Sequence, residues 1–190
     1  MILVYLLLGA MIIMDVYLAF RFIEYAWCSG VKHQPPLVFS TKKMRMAVVE
    51  QIKLYCQNAK NICEIGSGFG GLARMIAKNT NADVYALENM PFSAAVSNVC
   101  DILFCKNNKT VWCDAFKFLD NTDKQFDVAV AFLGPKMTPQ MQKYANKIDV
   151  FISLDFEIPN VTPMRVVEIS DGYTKYNNKI YPHRLFIYKF

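Results

Sequence analysis

The chain has 190 residues, 54% of them apolar and 19% charged, with a formal net charge of +5. That length supports one compact core and argues against two full domains, and eight Gly with eight Pro exclude a collagen-like or low-complexity chain. The positive excess is compatible with an anionic lipid surface but too diffuse to argue for nucleic acid, which is not expected as a partner.

Residues 1–14 are uncharged, and apolar character resumes after Asp15 through Val16–Phe20 and Phe22-Ile23. No basic leader or small-residue cleavage site accompanies this stretch, so it predicts a retained transmembrane or membrane-anchoring helix over 1–27. Asp15 opposes spanning, at about 2.5–3.5 kcal/mol for a mid-helix carboxylate. The alternative is an amphipathic helix docked on the rest of the chain or lying in the interface. No base precedes Arg21, whereas Lys32, Lys42, Lys43 and Arg45 follow it. A membrane location with the remaining chain on the cytoplasmic or equivalent side is therefore the expectation.

Residues 28–40, with Gly30 and Pro35-Pro36, read as a linker, leaving 41–190 as the folded domain. Ser40 or Thr41 can cap a helix whose buried face is Met44, Val48, Ile52 and Tyr55. Short apolar runs then alternate with helical stretches, the pattern of βαβ units and a parallel sheet. Strands are expected at 60–65, 83–88, 109–113, 126–133 and 148–153, and helices at 70–79, 91–104 and 137–146. Two further strand-like runs, 164–170 and 184–190, predict an antiparallel hairpin closing the sheet. The fold class is thus α/β, a seven-stranded Rossmann-like sheet preceded by an N-terminal membrane helix.

Six cysteines form no C-x-x-C pair, and His33 and His183 are remote in sequence. No zinc signature exists and no metal is expected. The cysteines read as small core hydrophobes in a reducing compartment. No His or Cys is placed as a base by sequence, so no catalytic residue is assigned.

The chemistry lies in Asn61–Gly71, a strand running into a glycine turn that opens a helix. Gly66-x-Gly68-x-x-Gly71 matches the dinucleotide fingerprint, with Glu88 at the end of the next strand as the ribose acid. Glu64 places a carboxylate at the strand's mouth, which suits a cationic cofactor and repels a pyrophosphate.

The pattern Glu64-x-Gly66-x-Gly68-x-Gly70 resembles motif I of the class I, seven-strand S-adenosylmethionine (SAM) methyltransferases. Tyr85-Ala86-Leu87-Glu88 looks like the strand whose acid holds the ribose hydroxyls, and Trp112-Cys113-Asp114-Ala115 like the turn that contacts adenine. The resemblance implies SAM as cofactor, held by Glu64, Gly66, Ser67, Gly68, Gly70, Glu88 and Asp114, although an Asp after a strand also serves as a helix cap.

Pro36–Thr41, the hydrophobic amino-terminal segment, Phe132-Leu133-Gly134-Pro135 and Phe156–Pro163 are similar to the membrane-anchored lysine methyltransferases of the ATP synthase c-subunit and the adenine nucleotide translocase. This narrower likeness implies methyl transfer to a lysine of a membrane-associated protein, with Phe39, Phe132 and Pro135 as walls of the acceptor channel. The chain departs from that family at Phe69 and Gly71, where Asp and Arg are usual. It also lacks the Asn/Asp-Pro-Pro-aromatic signature of enzymes that methylate nucleobases and glutamine. Two rival readings are an NAD-dependent oxidoreductase and a non-catalytic SAM-binding membrane scaffold.

Overall fold

The structure, a computed structural model, describes residues 2–26, 39–105, 107–176 and 179–190. The chain divides into two compact units, Met1–Val38 and Phe39–Phe190.

Among the described residues the first unit holds one helix, α1 (Ile2–Ala26). Among the described residues no helix is long and apolar enough to cross a membrane, which corrects the expected transmembrane helix over 1–27 and the membrane location with its cytoplasmic orientation. The physical reason lies in the sequence of α1. Its uncharged stretch, Ile2–Met14, rises only about 20 Å, against about 30 Å of hydrocarbon. Asp15, Arg21 and Glu24 then follow within the same helix. The expected linker over 28–40 lies outside the described residues, save for Phe39 and Ser40.

The second unit opens with α2 (Lys42–Tyr55), capped by the Thr41 hydroxyl, which accepts from the Met44 amide at 3.2 Å. Met44, Val48 and Ile52 are buried as their spacing predicts, whereas Tyr55, at the frayed end, stays exposed. The remaining elements are β1 (Asn61–Ile65), α3 (Gly71–Asn79), β2 (Asp83–Glu88), α4 (Pro91–Phe104), β3 (Asn108–Trp112), α5 (Ala115–Asn121), β4 (Phe126–Ala131), a 3₁₀ helix (Thr138–Tyr144), β5 (Ile148–Leu154), β6 (Arg165–Tyr176) and β7 (Lys179–Lys189).

These strands form one seven-stranded sheet in the order β3-β2-β1-β4-β5-β7-β6. The first five are parallel, and β7 enters antiparallel between β5 and β6. Both faces are covered, which is why the parallel strands read as nearly continuous apolar runs. One face packs Ile62, Val84, Val128 and Ile152 under α2 and α3. The other packs Cys63, Leu87, Ala129 and Phe151 with Leu119 of α5 and Met141 of the 3₁₀ helix.

Two expectations needed correction, and one element was missed. The helix over 137–146 is a shorter 3₁₀ segment held by the Thr138 hydroxyl, which donates to the Leu133 carbonyl at 3.2 Å. Residues 115–121 form a helix that sequence periodicity missed, because seven residues give too few turns for a recognisable apolar stripe. The closing hairpin is longer than 164–170 and 184–190, extending through Tyr176 on one strand and back to Lys179 on the other.

Candidate functional site

The strand order reverses between β1 and β4: β2 and β3 lie on one side of β1, and β4 and β5 on the other, all five running parallel. Ligands of open α/β sheets bind at such a point, outside the carboxyl ends of the strands. β1 ends there, with Ile65 level with Leu87 on one side and Ala131 on the other.

The chain then turns through Gly66, Gly68 and Gly70, all left-handed with φ of 72°, 56° and 70°, a region that side chains with Cβ rarely enter. The Leu87 carbonyl accepts from the amides of Gly66 and Ser67 at 2.9 and 3.1 Å, and that of Ser67 from Gly70 at 2.9 Å. Gly70 also has no room for a side chain, because a Cβ would stand 2.2 Å from the Ser97 hydroxyl. The Ser67 hydroxyl is buried and has no hydrogen-bond partner among the described residues. Such an orphaned donor normally awaits a ligand or water.

The structure brings Glu64 and Glu88 together on neighbouring strands of this turn. Glu88 accepts from the Gly68 amide at 2.6 Å and from the Met90 amide at 2.7 Å, one bond per carboxylate oxygen. A carboxylate with two acceptor oxygens suits the two adjacent hydroxyls of a ribose. Glu64 accepts from the Ala73 amide, in the first turn of α3, at 2.7 Å. Burial pushes its carboxyl up to about 8, against the lowering effect of that amide and of the Arg45 and Arg74 guanidinium groups. Glu64 is thus largely neutral at pH 7 in this state, which weakens the argument that it repels a pyrophosphate.

Asp114 is the helix cap that its position after a strand allows: it accepts from the Phe116 and Lys117 amides at 3.0 and 3.3 Å. Beside it, burial pushes the Cys113 thiol up to about 11, and burial also raises Cys63 and Cys56. These three thiols are held as neutral packing groups and not as thiolate nucleophiles.

Of the expected channel residues, Phe39 reaches the turn by stacking on Phe69 with ring centroids 5.9 Å apart, and Phe69 meets Phe92 edge-on at 6.3 Å. Phe132 instead packs against the core on the α2 and α3 face. Pro135 sits half-buried in the turn after β4, next to Gly134, whose carbonyl accepts from Met137 and Thr138.

Sequence reading missed two arginines. The Arg45 guanidinium lies over Gly71, with Nη1 2.5 Å from where a Cβ would stand, and Nε donates to the Ser40 carbonyl and hydroxyl at 3.0 Å. A cation thus fills the space at position 71 from another element. Arg74 donates to Asp101 at 3.1 Å, to Ser97 at 3.3 Å and to the Phe69 carbonyl. Thr110 donates to Asp101 at 2.6 Å and lies 2.7 Å from Ser97. This buried set ties the glycine turn to α4 and β3. No motif marks it, because its members are far apart in sequence. Among the described residues no group of three or more His, Cys, Asp or Glu side chains comes together as a metal site would require.

No family model matches the chain, and no curated protein matches it. Solved structures do. An RNA methyltransferase from Salinibacter ruber in complex with S-adenosyl-L-homocysteine superposes with a TM-score of 0.61 at 16% identity, over 80% of this chain and 93% of its own. A putative O-methyltransferase from Klebsiella pneumoniae gives 0.62 at 12% identity over 83% and 84%. Precorrin-6y C5,15-methyltransferase from Geobacter metallireducens GS-15 gives 0.58 at 13% identity over 81% and 90%. The fold is the Rossmann-like methyltransferase fold.

Proposed function

We propose that the chain is a SAM-dependent methyltransferase and that its acceptor is the ε-amine of a protein lysine. The observation that carries the first part is the arrangement of Glu64, the left-handed glycine turn and Glu88 at the switch point of a sheet with an antiparallel β7.

The residues present fit the cofactor. Glu88 would take the ribose hydroxyls on its two carboxylate oxygens, the Ser67 hydroxyl would find its missing partner, and Gly66, exposed at the rim, would let the backbone approach closely. Gly68 and Gly70 shape the turn, and Glu64 would face the cationic methionine end. Asp114 would meet adenine only while still capping α5. When bound, SAM supplies an electrophilic methyl group on a positive sulfonium. The chain's own contribution is to position it and to keep water from the acceptor, which is where most of the acceleration in such a transfer arises.

The lysine reading rests on the sequence likeness at Phe132–Pro135 and Phe156–Pro159. Calorimetry with S-adenosylhomocysteine and with NADH tests the cofactor: binding of NADH alone would overturn the methyltransferase reading. Transfer of labelled methyl from SAM to lysine peptides, run beside RNA and phenolic acceptors, tests the acceptor. Label on RNA or phenol and none on lysine would remove the lysine assignment.

A further inference from the structure

Two guanidinium groups stand at the glycine turn, and they are not neutralised alike. Arg74 pairs with Asp101 at 3.1 Å and also donates to Ser97 and to the Phe69 carbonyl. Arg45 has no carboxylate within ion-pair distance among the described residues. Its Nε donates to the Ser40 carbonyl and hydroxyl, both at 3.0 Å, and neither terminal nitrogen has a hydrogen-bond partner among those residues. The fork is therefore fixed at its base and open at its tip.

That open tip lies over the start of α3. Nη1, Cζ and Nη2 stand 2.5, 2.8 and 3.0 Å from where a Cβ would be on Gly71, the first residue of the helix. A helix N-terminus carries partial positive charge and amides without intrahelical acceptors. A guanidinium placed over it is repelled unless an anion lies between them. Glu64 does not supply that anion. Burial pushes its carboxyl up to about 8, so it is largely neutral at pH 7, and its Oε2 already accepts from the Ala73 amide. The turn carries a second, independent sign of a ligand in the buried Ser67 hydroxyl, which has no partner among the described residues.

A small planar anion would complete this arrangement. A carboxylate takes two parallel hydrogen bonds from a guanidinium fork, and it suits a helix N-terminus as well. SAM carries one beside the ammonium of its amino-acid end. That end, on the reading above, faces Glu64, which lies within electrostatic reach of Arg45. An acid and a cation on one side of the turn thus match the two charges of an α-amino acid.

We propose that Arg45 binds the carboxylate of the cofactor's amino-acid end and makes the site selective for nucleosides that carry it. This inference rests on the methyltransferase reading. It also accounts for the missing side chain at position 71. Gly71 is not among the left-handed glycines, so backbone conformation does not demand a glycine there, whereas room for the Arg45 fork does.

The test compares two nucleosides by calorimetry on the full chain: S-adenosylhomocysteine and its decarboxylated analogue, which keeps the amine and lacks the carboxylate. Wild type is expected to bind the first at least about tenfold more tightly, as charge-assisted hydrogen bonds imply. In Arg45→Met the difference should shrink to within about 2-fold, through loss of affinity for S-adenosylhomocysteine alone. Gly71→Ala is the second variant, and it decides the matter if Arg45→Met fails to fold. Its position is helical, where Ala is favoured over Gly, and the atoms that its Cβ meets are the movable tip of Arg45. It should melt no lower than wild type and still lose most of the discrimination. Equal loss of affinity for both nucleosides in Arg45→Met would mark a mere support of the turn and overturn the proposal, as would undiminished discrimination in either variant. If wild type binds both nucleosides equally well, the proposal fails and the methyltransferase reading stands. If it binds neither, that reading fails and takes the proposal with it.

Discussion

Glu88 and Gly68 are joined by a 2.6 Å hydrogen bond between a carboxylate oxygen and a backbone amide, so the acid at the end of β2 shapes the turn at the end of β1. Glu88→Ala therefore removes a turn support and the proposed ribose acceptor together. Loss of two charge-assisted bonds at about 1.5–3 kcal/mol each predicts a fall in S-adenosylhomocysteine affinity of at least tenfold, read by calorimetry, and a lower melting temperature. Unchanged affinity would take Glu88 out of the site.

Glu64 gives the protein a pH signature. Its folded-state carboxyl is raised from the usual range to about 8, so the folded state holds a proton that the unfolded chain releases. Stability from this group is complete below about pH 4.5 and is lost as pH rises through about 8, on the order of a few kcal/mol across that window. Denaturant melts against pH should show this slope flattened in Glu64→Gln. A bound cation would favour the ionised form, so calorimetry at pH 7 in buffers of different ionisation enthalpy should detect proton release on SAM binding. Uptake of a proton would contradict the assignment.

Gly70→Ala meets three obstacles at once, a left-handed backbone, the Ser97 hydroxyl and the Arg74 guanidinium, whose Nη1 would stand 2.7 Å from the new Cβ. The strain alone is about 1–2 kcal/mol, and the clash adds to it. Lower thermal stability together with weaker cofactor binding is expected, and the pair Gly70→Ala with Ser97→Gly should recover part of the stability. No recovery would place the cost in the backbone and the Arg74 contact, not in Ser97.

Asp101→Ala leaves the half-buried Arg74 without its carboxylate and Thr110 without its acceptor. Breaking a buried pair from one side costs about 3–5 kcal/mol. Because Arg74 also donates to the Phe69 carbonyl, chemical denaturation and cofactor affinity should both suffer. A loss of stability with affinity intact would show that the network does not support the turn.

The parallel strands were legible because strands covered on both faces must be apolar throughout: Phe126–Ala131 and Ile148–Leu154 announce themselves in this way. The glycine turn was legible because left-handed backbone demands a residue without Cβ. What stayed hidden was assembled from afar. Arg45 filling the space at Gly71, Arg74 reaching Asp101, and Asp155 meeting His183 Nδ1 at 2.8 Å join residues 26 to 28 positions apart, where no periodicity or spacing rule operates. The amino-terminal helix was misread because hydrophobicity was summed over a stretch that Asp15 divides.

The place of β7 between β5 and β6 bears on how the protein is made. β6 leaves the ribosome before β7, yet its only strand neighbour in the sheet is β7. Until β7 emerges, β6 and the open edge of β5 are both unpaired, a template for association with other chains. Completion of the sheet beyond β5 is therefore withheld until synthesis reaches Leu185–Tyr188, whose buried side chains settle β7 against β5. Ribosome-stalled chains ending before Leu185 should bind chaperones at that exposed edge, whereas chains extended past Phe190 by a linker that clears the exit tunnel should not.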